Sequence, residues 1–541
     1  IGAAGTTSSI AGANILVEAN SLFIGDDVSS TTDTAANSVA VGIDALDAVT
    51  TGDANVAVGK SALSAVNTGA DNIGIGNQAG AALTTGTANI AIGSNALATE
   101  DAGTKSIAIG ANALNAQNVS GSVHNIAIGN DAGKLITTGL YNIMIGGQAG
   151  DGFDTESENV GIGTSALGGS IAGGEYNVAV GNNTLDALTS GDNNVAIGYN
   201  AGTTMTSTTG NTLIGYEAGR AQNYDGAAYV TMVGYQAGED QTTSAYNTGF
   251  GAFNQKSSDT ETHNTSIGYY AMNGANGGGE YNTALGSYVM SDASQSGDYN
   301  VGAGWRALYA NTTGSNNVAL GYKAGTAVNT GYQNTIIGSQ AGDALTSGDD
   351  NVIIGYNAAA GHTGGDFQTI VGSGCAASGT SHQIVMGYNN GSAGNNYVTL
   401  GTGSGGDKIY AQYTSSATWT KASDERIKKD ITTNTDCGLD FINELRTVKF
   451  KKKNHSEVDK NLTIYDASDT EPRDDILYGL IAQEVKAAME KHNVNDFDGW
   501  HKLSKEASPD EIQGVSEQMF VYPLIKAVQE LSAKVKALEE A

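Results

Sequence analysis

The sequence predicts a mainly β fold, in which an elongated β-solenoid with coils of about 17 residues precedes a small α+β domain that ends in a coiled-coil helix. Two observations lead to this prediction. A five-residue motif recurs along the first three quarters of the chain at a nearly constant spacing. The composition then changes at Ala422: the part up to this residue holds 71 of the 75 glycines and no proline, whereas the part after it holds 17 of the 26 Lys and Arg.

The motif has Asn or Ser first, three mostly apolar residues next and Gly last. Its closing glycines run from Gly25 to Gly401 in 23 copies; counted along the chain, 15 of the 22 spacings equal 17, five equal 18 or 19, and the last two equal 15 and 14. A second half-motif such as Ser61 to Leu63 follows most copies, and a polar turn comes next. Clear examples are Asn55 to Gly59, Asn72 to Gly76, Asn89 to Gly93, Asn194 to Gly198 and Asn351 to Gly355.

Stacked coils follow from this pattern. Three residues in a strand alternate between two faces, and so short a strand cannot bury a face unless copies stack above and below it. Asn and Gly at one corner are expected to supply a left-handed backbone and a ladder of hydrogen bonds, and proline would delete a ladder bond in every coil. At about 4.8 Å per coil, 23 coils would span on the order of 110 Å.

Charge and composition exclude several classes of function. The net charge of −30 divides into −23 for the part up to Ala422 and −7 for the part after it, and such a surface repels nucleic acid. The chain has no apolar run long enough to span a membrane and no signal peptide. It begins at Ile1 without Met, so we expect an upstream attachment segment.

Cys375 and Cys437 lie in different parts of the chain and are predicted to be buried thiols rather than a disulfide framework.

The remaining polar and aromatic features favour structural roles over catalytic or metal-binding roles. No histidine pair has metal-ligand spacing, and no cofactor or metal site is predicted. The basic cluster at residues 449–453 is either a solvated strand end or a surface that docks on the acidic part. Tyr199, Tyr216, Tyr235 and Tyr269 follow repeat glycines in phase. This column of rings is expected to pack between coils or chains, although rings in a line could also stack on sugars.

The phrases from Asn37 to Gly42 and from Asn89 to Leu97 resemble head repeats of trimeric autotransporter adhesins, the YadA-like β-roll, and the resemblance covers roughly residues 20–402. It implies left-handed rolls with three chains packed side by side. The period of this chain is longer than in those heads, so the third side of each coil is expected to differ. Such adhesins also need a C-terminal β-strand anchor in the membrane, whereas this chain ends in a charged helix.

Ordered motifs after Ala422 resemble the intramolecular chaperone of endosialidase, which terminates many phage tail fibres and tailspikes. They are Ser423-Asp-Glu-Arg-Ile-Lys428, then Gly479-Leu-Ile-Ala-Gln-Glu-Val485, then the terminal helix, and the resemblance covers residues 423–541. It implies a domain that trimerises, nucleates the folding of the fibre and releases itself by a Ser–Lys dyad.

Carried over residue by residue, the resemblance makes Ser423 the nucleophile and Lys428 the general base, with Lys429 as a rival base. Burial would have to lower the pKa of the lysine for it to act so. Attack by the Ser423 hydroxyl on the preceding carbonyl closes a five-membered ring, which favours cleavage between Ala422 and Ser423. The bond between Ser423 and Asp424 is the competing site. Alternatively, Ser423 caps a helix.

The terminal helix, predicted over residues 522–541, carries an apolar seam of about two heptads. Its members are Leu524, Val528, Leu531, Val535 and Leu538. The seam either joins three chains or packs on its own domain, and Pro523 lies where the first helical turn tolerates it. A trimer is implied by the resemblance and not by the seam, which is too short to hold three chains by itself.

Together these features divide the chain into a lead-in at residues 1–20, a shaft at 21–402, a cap and linker at 403–422 and the chaperone domain at 423–541. The resemblance implies a homotrimeric phage tail fibre, made in the host cytoplasm, carried on the virion and extracellular after release. Its partners would be itself, other tail proteins and a host surface receptor that could be a glycan. The alternatives are a tailspike depolymerase and a bacterial trimeric adhesin. No carboxylate pair for glycan cleavage stands out.

Overall fold

The computed structural model describes residues 6–10, 13–18, 20–25, 34–169, 173–257, 260–274, 277–291, 295–378, 381–403, 408–412, 420–421, 430–458, 460, 467, 475–502 and 513–541. The chain divides into two compact units, Ile1–Ala422 and Ser423–Ala541. The first unit is built from short strands, and the second combines short strands with helices. None of the described helices is long and apolar enough to cross a membrane.

The strands of the first unit are mostly three residues long. They are β1 Thr6–Ile10, β2 Ala13–Glu18, β3 Ser21–Gly25, β4 Val39–Gly42, β5 Val56–Val58, β6 Ile73–Ile75, β7 Ile90–Ile92, β8 Gly103–Thr104, β9 Ile107–Ile109, β10 Gly121–Ser122, β11 Ile126–Ile128, β12 Ile143–Ile145, β13 Val160–Ile162, β14 Val178–Val180, β15 Val195–Ile197, β16 Thr212–Ile214, β17 Thr231–Val233, β18 Thr248–Phe250, β19 Thr265–Ile267, β20 Thr283–Leu285, β21 Val301–Ala303, β22 Val318–Leu320, β23 Thr335–Ile337, β24 Val352–Ile354, β25 Thr369–Val371, β26 Ile384–Tyr388, β27 Tyr397–Thr402, β28 Lys408–Gln412 and β29 Thr420–Lys421.

The strands stack in the order of the chain. Strands β3 to β27, apart from β8 and β10, pair in parallel with equivalent residues of successive motifs in register, so that 23 described strands form one continuous stack. Strands β8 and β10 form a separate two-stranded parallel pair. At the two ends, β1 to β3 and β27 to β29 pair antiparallel. The mainly β solenoid predicted from the repeat is confirmed, including the predicted length of its coils.

A ladder of buried asparagine side chains runs along one corner of the coils. The Oδ1 atom of Asn72 accepts hydrogen bonds from the backbone N–H of Asn89, at 3.0 Å, and from its side-chain amide, at 3.2 Å. The Nδ2 atom of Asn72 donates to the carbonyl of Gly86 at 2.8 Å. Each asparagine thus satisfies buried backbone groups of the next coil, and an isolated copy would leave those groups unpaired.

The residues with a left-handed backbone are neighbours of the ladder asparagines and not the asparagines themselves. Asn72 is outside the positive-φ region, whereas the preceding Asp71 has φ of 59° and the closing Gly76 has φ of 137°. A Cβ atom at Gly76 would lie 2.5 Å from the carbonyl oxygen of Gly93 in the next coil. Glycine is therefore required there by conformation and by close stacking. The expectation that the motif asparagine itself is left-handed is wrong, because the residue before it takes the left-handed conformation and leaves the asparagine side chain free to reach the next coil.

The core of the solenoid is narrow and consists of small and aliphatic side chains. The middle residue of each short strand faces inward, as Ala57 and Ala91 do, and Leu63 and Leu97 of the second half-motif fill the remaining space. Where a coil has glycine at the middle position, a neighbour fills the gap: a Cβ atom at Gly74 would lie 2.6 Å from Cγ of Leu63.

Both cysteines are buried and free, as predicted. Cys375 lies in the core of the solenoid, and Cys437 lies in the core of the second unit. Burial raises the pKa of the Cys437 thiol, so it stays protonated at neutral pH. The two thiols therefore act as small apolar side chains.

A polar belt interrupts the core of the solenoid. Within the described residues, one cluster of buried apolar side chains ends at Ala237 and the next begins at Ala271. The residues of the belt are fully buried and polar: Gln241, Ser244, Asn254, Gln255 and Ser266. Gln255 donates to Ser266 at 2.6 Å and accepts from Gln241 at 3.2 Å, so the belt is held by hydrogen bonds between coils.

The second unit has short elements around one small core. They are α1 Leu439–Asn443, β30 Val448–Phe450, a 3₁₀ helix at His455–Glu457, β31 Leu477–Gly479, α2 Ala482–Lys491, β32 Trp500–Lys502, β33 Gln513–Val515, a 3₁₀ helix at Glu517–Phe520 and α3 Val521–Glu539. Strands β30 and β31 pair antiparallel, and so do β32 and β33. The basic cluster begins on β30 and continues beyond its end, where its lysines are exposed.

Candidate functional site

Aromatic and aliphatic side chains hold the second unit together. Phe441 of α1 is almost fully buried, and its ring meets the ring of Phe497 edge-on at 5.7 Å. Phe497 in turn meets Phe520 at 5.0 Å, and Val485 and Met489 of α2 pack into the same cluster. The helices α1 and α2 and the segment before α3 therefore share one core.

A side chain of α3 caps α1. The first residue of α1, Leu439, donates its backbone N–H to Oε2 of Glu530 at 2.8 Å, and the preceding Gly438 offers no side-chain cap of its own. A Cβ atom at Gly438 would lie 2.5 Å from Oε1 of Glu530, so the carboxylate reaches the helix because residue 438 is glycine. This hydrogen bond from Leu439 lowers the pKa of Glu530, and Lys526 lowers it further.

Two ion pairs join α2 to the segment after α1. Arg446 pairs with Glu484 at 2.5 Å, and Lys491 pairs with Glu444 at 2.6 Å. The hydrogen bond from Arg446 lowers the pKa of Glu484, and that from Lys491 lowers the pKa of Glu444. Because these pairs are exposed, they orient the helix more than they stabilise it.

The terminal helix α3 leaves its apolar seam uncovered. Only Pro523 and Ala527 of this helix are buried. The five seam residues predicted from the sequence are all exposed, from 46% at Val535 to 78% at Leu538. Beside Leu524, the first seam residue, lies an apolar groove of about 460 Å³ lined by Ile442, Leu445, Leu480 and Phe520, among others. The second unit by itself thus presents a continuous apolar surface along α3 and the groove.

The stacked strands of the first unit present a second apolar surface. The first and third residues of each short strand face outward, opposite the buried middle residue. Val58, Ile75 and Ile197 at the third position are 37%, 38% and 38% exposed. Repeated in consecutive coils, these side chains form the apolar strand face, one side of the sheet that is covered by Val, Ile, Leu and Phe with interspersed Thr.

The predicted tyrosine column is stacked, and a second column accompanies it. Tyr199, Tyr216 and Tyr235 stack on one another with ring centroids 5.4 and 5.1 Å apart, and Phe253 separates Tyr235 from Tyr269. The second column lies two residues before the strands and consists of Tyr229, Tyr246, His263, Tyr281 and Tyr299. Stacked rings cover each other's faces, which is the geometry of packing between coils.

Ala422, Ser423, Asp424 and Lys428, the predicted cleavage site and dyad, lie outside the described residues. The first described residue of the second unit is Asp430. The boundary between the two units falls between Ala422 and Ser423. The dyad and the cleavage site therefore remain predictions.

Comparison with known families gives one match. Residues 423–494 match the family model described as chaperone of endosialidase. The matched segment of the second unit is therefore similar to the chaperone of endosialidase. The matched residues contain α1, β30, β31 and α2, whereas the resemblance in the sequence extends to residue 541 and so includes α3. Comparison with curated proteins gave no match, and neither did comparison with solved structures.

A chaperone-of-endosialidase domain after a β-solenoid fits the architecture of a tail fibre or tailspike-like protein. The match begins at Ser423, the same residue at which the second unit begins. The Glu530 cap of α1 could not be predicted from the sequence, because the two partners are 91 residues apart and no local pattern joins them. The second aromatic column does have a sequence signal, but it is found only when residues are counted back from each closing glycine.

Proposed function

We propose that the protein is a homotrimeric phage tail fibre that attaches to the host surface, and that its chaperone-of-endosialidase domain directs trimerisation and folding and is released by self-cleavage. The observation that carries this proposal is the apolar strand face, which repeats in coil after coil and is exposed in the single chain. Monomeric soluble proteins rarely expose apolar patches of such extent, so a partner surface of matching length is required.

Further copies of the chain are the partner that matches this surface. A symmetric oligomer brings the same face of each copy together, so every coil meets an equivalent coil. The exposed seam of α3 and the apolar groove beside it offer the second unit a corresponding surface. Long-range stacking of coils is slow and leaves open strand edges, and a preformed trimeric nucleus at the C-terminal end would limit aggregation.

Self-release is assigned to Ser423 with Lys428 as the base. The hydroxyl of Ser423 adds to the carbonyl carbon of Ala422, the peptide C–N bond breaks, and the freed amine takes up a proton. The resulting ester is hydrolysed by water, which completes cleavage between Ala422 and Ser423. Lysine can accept the hydroxyl proton only if its surroundings keep it neutral.

The test combines cleavage with oligomeric state. We expect the full chain to yield a fragment of residues 423–541 on a denaturing gel, and native mass spectrometry to show three copies of the first unit. Ser423→Ala should abolish the fragment and keep the trimer. Comparison of Lys428→Met with Lys429→Met identifies the base, since only one of them should block cleavage. Absence of the fragment from wild type under every folding condition would contradict self-cleavage, and a monomeric mass would contradict the fibre.

Attachment has its own measurement. Fluorescently labelled trimer should bind at least one strain in a panel of bacteria with different surface polysaccharides, and unlabelled trimer should compete with it. A trimer that binds no strain would remove the host-attachment part of the proposal and leave the assembly part in place.

A further inference from the structure

A cationic–aromatic patch lies where two successive coils leave strands β21 and β22. It consists of Tyr288, Trp305, Arg306, Tyr309, Tyr322 and Lys323. Trp305 and Tyr322 occupy the position directly after the closing glycine, and Arg306 and Lys323 occupy the next one. Equivalent positions of successive coils stack, so the two rings form a short column, and both cations lie over the Trp305 ring.

Arg306 is surrounded by rings rather than by acids. Its guanidinium carbon lies 4.7 Å from the ring centroids of Trp305 and Tyr309 and 5.7 Å from that of Tyr288. The Nε atom is buried and has no hydrogen-bond partner within the described part of the chain. A guanidinium stacked on rings keeps its in-plane N–H groups for an anion, which it can hold through two parallel hydrogen bonds.

Lys323 adds a second cation one coil further along. Its Nζ atom lies 5.7 Å from the ring centroids of both Trp305 and Tyr322, and those two rings stack on each other at 5.1 Å. Trp305 is 36% exposed and Tyr322 is 48% exposed. The patch thus combines an accessible aromatic edge with two positive charges on the same side of adjacent coils.

Three other cations of the solenoid are neutralised by carboxylates. Arg220 pairs with Glu239 at 3.2 Å and with Asp240 at 3.1 Å, Lys256 pairs with Glu239 at 2.7 Å, and Lys134 pairs with Asp131 at 3.5 Å. No carboxylate among the described residues pairs with Arg306 or Lys323. In a part of the chain with a net charge of −23, two adjacent cations without an acidic partner make a local site of opposite sign.

We propose that the cationic–aromatic patch is a binding site for an anionic saccharide, whose carboxylate or phosphate is held by Arg306 and Lys323 and whose ring packs against Trp305 and Tyr322. The proposal rests on the proposed function, because a fibre that attaches to a cell surface meets such polysaccharides. Charge complementarity selects this ligand: the acidic surroundings repel an anion, whereas the two cations of the patch attract it.

The experiment is affinity electrophoresis of the folded protein in native gels that contain polygalacturonate, poly(glycerol phosphate) or neutral dextran. We expect retardation by at least one of the two anionic polymers and none by dextran. Comparison of the two anionic gels identifies the carboxylate or the phosphate as the ligand group. Retardation should decrease as salt is added, because the charges of the patch are close to solvent.

The test variant is Arg306→Gln combined with Lys323→Gln, and the matched control is Arg220→Gln combined with Lys256→Gln. We expect the test variant to bind about tenfold more weakly or worse, since charge-assisted hydrogen bonds are lost, and the control to bind like wild type. Equal loss in both variants would mean a general charge effect and would overturn the proposal. Absence of retardation of wild type by both anionic polymers would overturn it too.

Two further outcomes distinguish the saccharide-site proposal from the proposed function of the fibre. If the test variant loses the native trimeric mass, the patch is a contact between copies of the chain and not a saccharide site. If labelled wild type binds bacteria and the test variant binds them equally well, host attachment stands and the saccharide site is elsewhere.

Discussion

Two polar side chains illustrate how single residues stabilise this protein. Asn72 lies between two coils and satisfies backbone groups of the next coil, whereas Glu530 reaches from α3 to the first turn of α1. Both replace hydrogen bonds that the backbone cannot make within its own element. Loss of either side chain leaves a buried or half-buried donor without an acceptor.

Glu530 predicts a pH dependence of the second unit. Because its folded pKa lies below the ordinary value, its stabilising contribution is complete above the unfolded pKa, near 4.5, and is lost as pH falls through the lower folded pKa. We expect the thermal midpoint of this unit, measured by calorimetry on the intact chain, to fall as the pH drops below about 4.5. Glu530→Gln should lower the midpoint at pH 7 and weaken its decrease in acid.

Glu539→Gln is the matched control for this prediction, since it makes the same chemical change on the same helix at an exposed position. It should leave the midpoint and its pH profile unchanged. Identical profiles for Glu530→Gln and wild type would show that the cap of α1 does not contribute to stability.

For single residues, the sequence predicts the roles of positions that the repeat constrains and of few others. The asparagine ladder and the closing glycines could be predicted, because each must satisfy the same neighbour in every coil. The left-handed residue before the asparagine could not, since Ala54, Asp71 and Tyr141 share a conformation without sharing chemistry. The contacts between Arg306 and the aromatic rings depend on which side chains stack, and the spacing of the motif alone does not predict these contacts.

Among the secondary-structure elements, helix α3 has two faces with different roles. Its face at Pro523 and Ala527 packs on its own domain, and its seam is exposed. The sequence predicted the helix and the seam from heptad spacing but left open whether the seam faces its own domain. In the structure the opposite face is the one turned to the domain, since Pro523 and Ala527 are buried.

A substitution in the seam tests what the helix joins. Leu531→Asp should convert the trimer to a monomer or to an aggregate in native mass spectrometry, because three carboxylates would meet in one apolar contact. Ser532→Asp introduces the same charge at the neighbouring exposed position and should leave the trimer intact. A trimer that persists in Leu531→Asp would show that α3 does not lie at the contact.

The whole first unit behaves as a series of nearly equivalent coils. Contacts run mainly between neighbouring coils, so stability is expected to be close to a sum of local terms. The fold could be predicted because a motif repeated so many times allows few other arrangements. The fold of the second unit could be predicted only by resemblance to a known family, since its core joins residues as distant as Phe441 and Phe520.

Removal of one coil tests this description. Deletion of residues 60–76 should give a folded protein whose denaturation midpoint is close to that of wild type, because Leu46 then takes the place of Leu63 against Gly80. Deletion of residues 235–251 removes Gln241 and Ser244 from the polar belt. It should cost about 1–3 kcal/mol for each buried polar group left unpaired. Equal midpoints for the two deletions would show that the belt adds nothing specific.

The polar belt also has a consequence for folding accuracy. In uniform stretches, a shift by one coil pairs each strand with a copy of its proper neighbour, so little energy separates the correct alignment from the shifted one. Gln241 and Gln255 break this degeneracy, because a shifted alignment would separate the two buried amides and remove the hydrogen bond between them. The belt is therefore expected to act as a positional marker along an otherwise self-similar chain, and the number of coils can change during evolution wherever such markers are absent.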